Sequence, residues 1–148
     1  MNHKDFEVDE DRFRKQVGVR RFDVNGATTK LLELIDQWKE VGQQYLDGTV
    51  SVTAVPVDSR IDGEVLGKKF SIRYAPFGLE GEGALEAALS IQDLVTGKAI
   101  ELSRFLVSST GTILSVEGDE LIDLRYRDAP YKALVAVVSR VINAPSKA

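Results

Sequence analysis

Arg125 and Arg127 flank Tyr126 just ahead of an apolar C-terminal run, and in this 148-residue chain they are one of two places where residue type and spacing could do chemistry. If the segment is a strand, alternation turns both guanidiniums to one side, where they can clamp a carboxylate or phosphate near a helix N-terminus. The other place is Arg104, which shares strand phase with Ile100, Leu102 and Leu106. Either that strand bulges, or a guanidinium points toward the apolar side and needs a carboxylate or an anionic ligand there. Tyr74, on the inward phase of another strand with Phe70 and Ile72, adds a polar anchor. Arg104, Arg125, Arg127 and Tyr74 are therefore the candidate ligand-binding residues. Each also has a plainer reading as a structural ion pair, a strand end or a core aromatic.

Little other chemistry is encoded. The chain has no cysteine, which excludes disulfides, thiolate metal sites and a cysteine nucleophile. Its single histidine, His3, lies in a polar N-terminal stretch that favours neither general-base nor metal-ligand duty. Gly78, Gly81 and Gly83 resemble a phosphate cradle, but Glu80 and Glu82 would repel the phosphate, so the stretch reads as a flexible, solvated connection. The run from Asp58 to Lys69 fails as a calcium loop because Arg60 and Lys69 stand where carboxylate oxygens are required. No catalytic residue, metal-ligand set or cofactor motif is expected.

The elements that would position these groups are set by periodicity. Residues 1–24 form a charged, partly mobile N-terminal segment, acidic from Asp5 to Asp11 and basic at Arg12, Arg14, Lys15, Arg20 and Arg21; it ends in a short edge strand from Val17 to Val24. Residues 25–148 form one α+β domain. Asn25-Gly26 marks a turn, Thr28 or Thr29 is the N-cap of a helix, and Thr29 to Asp47 is that amphipathic helix. Its apolar face carries Leu31, Leu34, Ile35, Trp38, Val41, Tyr45 and Leu46, with Gly48 as its stop. Gly42 sits in the middle of that face and implies close backbone approach by a neighbour.

From Thr49 to Tyr126 period-two alternation and turn signals predict an antiparallel meander of five or six strands. Asp62-Gly63, Thr96-Gly97, Thr110-Gly111 and Gly118-Asp119 are the expected turns. Ala84 to Val95 alternates as a strand, although its alanines suit a helix; the helical alternative gives the order α-β-β-α-β-β-β-α. A last helix, residues 129–144, has Asp128 as N-cap and Pro130 in its first turn. Its apolar arc of about 200° is wider than a one-sided surface helix needs.

The sheet is thus expected to be covered on one face by two helices. Function is expected to be that of a non-catalytic protein-binding module (adaptor, chaperone-like or inhibitor-like) and a homodimer, with Tyr131, Val135, Val138 and Ile142 of the last helix at the interface. The alternative is a small-ligand binder, or a weakly signalled enzyme, with an anion-accepting pocket between sheet and helices. A net charge of -4 argues against a dedicated nucleic-acid binder, leaving only Arg12, Arg14, Lys15, Arg20 and Arg21 for such contacts. No run approaches a membrane span, and the N-terminus lacks the apolar core of a signal peptide, so a soluble cytoplasmic protein is expected.

Overall fold

In the computed structural model, which describes residues 1–79 and 81–148, helix α1 runs unbroken over Glu10–Tyr45. The Asp9 carboxylate caps it, accepting from the amides of Asp11 (3.1 Å) and Arg12 (3.2 Å). Glu10 and Asp11 in the first turn complement the helix dipole. The expected strand at Val17 to Val24 and turn at Asn25-Gly26 are therefore corrected: both lie inside the helix. Thr28 and Thr29 do not cap; their hydroxyls donate back to the carbonyls of Val24 (2.8 Å) and Asn25 (3.0 Å). Once the Ala27 to Trp38 stripe is anchored on the sheet, each further residue adds a helical bond. The chain propagates through weak helix formers to the nearest good cap.

Seven antiparallel strands come next, in sequence order: β1 (Val50–Val55), β2 (Arg60–Val65), β3 (Lys68–Leu79), β4 (Glu82–Gln92), β5 (Ala99–Ser108), β6 (Thr112–Leu114) and β7 (Glu120–Asp123). Helix α2 (Ala129–Asn143) closes the chain. The α+β class holds, while the strand count exceeds the expected five or six because Asp62-Gly63, expected as a turn, lies inside a strand of its own, β2. Ala84 to Gln92 lies in β4 and Leu94 and Val95 in the turn after it, which excludes the helical alternative. The β2–β3 turn is Leu66-Gly67, with φ of 51° and 84°, and not Asp62-Gly63, which pair with Ser71 and Phe70 in mid-sheet. The glycine-rich stretch is likewise no open connection: β3 and β4 run into it as a hairpin with Gly78 opposite Gly83, Glu80 alone lying outside the described residues.

One face of this curled sheet carries the core. Val52, Ile61, Phe70, Ile72, Leu89 and Val107 meet Leu31, Leu34, Ile35 and Trp38 of α1 and Leu134, Val137 and Val141 of α2. Tyr45, expected on this face, is exposed in the last turn of α1, while Leu46 beside it packs against the core. Two glycines make the curl possible. Gly42 lets β1 approach, since a β-carbon there would stand 2.6 Å from the Val50 carbonyl oxygen. Gly63 lies beneath the Phe70 ring, where a β-carbon would be 2.1 Å from Cζ.

Candidate functional site

Strand β5 does bulge. Leu89 pairs with Ser103 but Ser90 with Glu101, so Leu102 is the extra residue and the phase flips there. Ile100 and Phe105 keep to the core side, and Arg104 turns outward opposite Ala88. Its guanidinium, on the outer face, binds Glu101 (Nε to Oε1, 2.8 Å) and Glu86 (3.3 Å). Those hydrogen bonds hold the Glu101 carboxyl below its usual range.

Arg125 is also engaged. Strand β7 ends at Asp123, so Leu121 to Tyr126 is not one continuous strand and alternation does not pair Arg125 with Arg127. Arg125 instead folds back on the buried Asp123 carboxylate, donating from Nε (3.0 Å), from Nη2 (2.7 Å) and from its backbone amide (2.9 Å). The side-chain bond chiefly, with the amide second, lowers the Asp123 carboxyl to about 2. Arg127 is exposed in the turn beyond it. Tyr74 is buried in the core, and burial raises its phenol pKa. These four candidates do not converge on one point.

A pocket nevertheless lies where sheet and helices part. Only Leu106 and Val107 of β5 pair with β6, so the first half of β5 has a free edge, and α2 crosses in front of it. The gap, about 340 Å³, is floored by Trp38, Leu89, Phe105, Ile113, Ala133 and Val137. Arg104, Lys132 and Arg140 border it, with no acidic side chain in the lining. Lys132 and Arg140 stand two turns apart on the α2 edge that carries Ala136. Lys132 pairs with Asp128 (2.9 Å), whereas Arg140 has no ion-pair partner among the described residues. Sequence reasoning placed both on a solvated arc. Lys132 beside Ala133 and Arg140 one turn beyond Val137 were the available signal.

The Trp38 indole anchors the floor by donating to the Pro130 carbonyl (2.9 Å), which ties α1 to the first turn of α2. Asp128 precedes α2 as expected but makes no capping bond, its carboxylate being taken by Lys132. The wide apolar arc of α2 is covered in part. Ala133, Leu134, Val137 and Val141 are buried and Val138 flanks the core, while Tyr131, Val135 and Ile142 stay 40–45% exposed.

Other apolar residues lie bare on the first half of α1, with Phe13 and Val17 on its core-facing side and Phe22 on the opposite side. Phe13 is 55% exposed, Val17 46% and Phe22 78%, and none of Glu10 to Val19 is buried. The sheet first reaches this helix at Arg20 and Asp23. A β-carbon on Gly83 would lie 2.4 Å from the Arg20 carbonyl oxygen, and the Gly83 amide donates to the Asp23 carboxylate (2.9 Å). The basic residues Arg12, Arg14 and Lys15 belong to this bare length.

Among the described residues no cluster of His, Cys, Asp or Glu could hold a metal ion, and no helix is long and apolar enough to cross a membrane. Compared with protein-family models, curated proteins and solved structures, the chain matches none.

Proposed function

We propose that this chain is a non-catalytic protein-binding module of the adaptor, chaperone-like or inhibitor-like kind, and that its contact element is the arm formed by the first half of α1. One observation carries this reading: the apolar stripe with which α1 packs on the sheet runs on through Val17 and Phe13 after the sheet has ended. This length of helix is carried by propagation from the packed half and buries none of its residues on its own domain. Exposed aromatic and aliphatic residues in a line are how helical recognition elements present themselves. The open residues of α2, Tyr131, Val135 and Ile142, supply a second and smaller surface.

Trypsin tests the reading, because Arg12, Arg14, Lys15, Arg20 and Arg21 all lie on or beside the arm. In dilute purified protein the arm is expected to be cut well before the domain, and to be protected when a partner is bound. An arm that resists cleavage at every dilution is packed on its own domain, which would falsify the proposal.

The pocket favours a second reading, a binder of a small amphipathic anion. Its floor suits an apolar tail, and its rim is cationic with Arg140 uncommitted among the described residues.

A further inference from the structure

Two fixed points delimit the bare arm. The Asp9 cap ends the helix on one side, and the β3–β4 hairpin meets it at Arg20 on the other. Between them lie Glu10 to Val19, about 15 Å of helix. At about 100° per residue Phe13 falls in line with Leu31, and Val17 within about 40° of it. The arm therefore points its core-type face at space the sheet does not fill.

We infer that the occupant of that space is a second copy of this chain, the two arms packing antiparallel about a two-fold axis level with Lys15. The inference rests on the reading of the arm as the contact element and names its partner. Charge gives the direction. Asp9 and Glu10 open the arm and Arg20 and Arg21 close it, so parallel arms would set acid on acid and base on base, whereas antiparallel arms set the acidic end of each copy against the basic end of the other.

Register is set by the two apolar residues. Only an axis midway between Phe13 and Val17 seats each Phe13 on the Val17 of the other copy and leaves neither bare. The midpoint of the free length, between Arg14 and Lys15, falls at nearly the same level. The flanks agree as well. Glu10 and Arg21 lie about 60° and 80° round the helix from Phe13, and an antiparallel two-fold brings like flanks together. Glu10 of each copy then meets Arg21 of the other. The contact is isologous, so it closes at two copies. It is also short, which places it among small, concentration-dependent interfaces.

The absence of cysteine makes the test clean, since an introduced cysteine is the only thiol present. Light scattering of the full chain over a wide concentration range should show a monomer–dimer equilibrium. Phe13→Asp should weaken it by at least about tenfold while leaving the melting temperature of the dilute monomer unchanged. Glu10→Lys and Arg21→Glu should each weaken it, and the double variant should recover it. Under oxidation Gln16→Cys, on the facing flank close to the axis, should cross-link with itself. Glu10→Cys should not, because its copies stand about 15 Å apart along the arms, but it should link to Arg21→Cys in a mixture. A dimer insensitive to Phe13→Asp, or self-linking Glu10→Cys, overturns the inference. A protein that stays monomeric also overturns it. In that case protection of the arm from trypsin by a different protein leaves the binding-module reading standing, and an arm that nothing protects ends both.

Discussion

The carbonyl oxygen of Arg20 occupies the space beside Gly83 where a side chain would begin, 2.4 Å from the position of a β-carbon. This contact divides α1 into a packed half and a bare half. Because the obstructing atom is backbone, Gly83→Ala must lift the hairpin off the helix and strain the bond from the Gly83 amide to Asp23. Its expected cost is about 1–3 kcal/mol, read as a lower melting temperature. Gly18→Ala is the contrast. Nothing lies within 4 Å of a β-carbon there, so removing a glycine from helix should stabilise the arm by about 0.5–1 kcal/mol. Equal effects at the two positions would mean the hairpin does not seat on α1.

Helix α2 yields a prediction about where its arc is covered. Leu134 is wholly buried and its neighbour Val135 is 40% exposed. Leu134→Ala should cost about 2–5 kcal/mol, whereas Val135→Ala should stay within about 0.5 kcal/mol. Denaturant unfolding of both variants distinguishes them. A large loss at Val135 in a dilute monomer would show that the open stripe is covered within one subunit.

Strands and the last helix were legible because their patterns are local. Phe70, Ile72 and Tyr74 alternate inward with Ser71 and Arg73 outward, and Asp128 and Pro130 announce α2. Gly42 announced the close approach of a neighbour, and the Val50 carbonyl of β1 supplies it. Where the reading failed, a distant contact outweighed a local signal. Asn25-Gly26 has the composition of a turn, but Ala27 beside it is buried on the sheet and the helix runs through. Asp62-Gly63 has the composition of a hairpin, yet the glycine is needed under Phe70, and the turn falls at Leu66, whose side chain gives no hint of a left-handed backbone. The pocket was legible only as an expectation of an anion-accepting gap between sheet and helices, and of its expected anchors Arg104 alone borders it. Its partners Lys132 and Arg140 lie far along the chain and required the crossing of α2 over β5.

The Asp123–Arg125 pair sets an acid limit. Asp123 is held at about 2 in the folded protein, below an ordinary aspartate. A carboxyl whose folded pKa is depressed contributes stability that is fully present above its unfolded pKa and is lost as pH falls toward the folded one. The melting temperature should therefore drop between about pH 4 and pH 2, and Asp123→Asn should flatten that part of the profile. A wild-type profile no steeper than that of the variant would show that the pair does not couple to folding.

Trp38 is the only tryptophan, and it is buried in the pocket floor with its indole N–H held by the Pro130 carbonyl at 2.9 Å. Its emission should be blue-shifted in the free protein. Since Trp38 lines the gap between β5 and α2, its emission is also a probe of occupancy. Amphipathic carboxylates titrated into the protein should change it saturably, and the matching alcohols, which keep the tail and lose the charge, should do so far less. Arg140→Ala removes the rim cation that has no carboxylate partner among the described residues. It should weaken carboxylate binding by about 10-fold, the loss of one charge-assisted hydrogen bond, and leave stability nearly unchanged because the side chain is exposed. Equal response to acid and alcohol would show that the rim does not select charge. No response to either would leave the gap as an unfilled packing defect between β5 and α2.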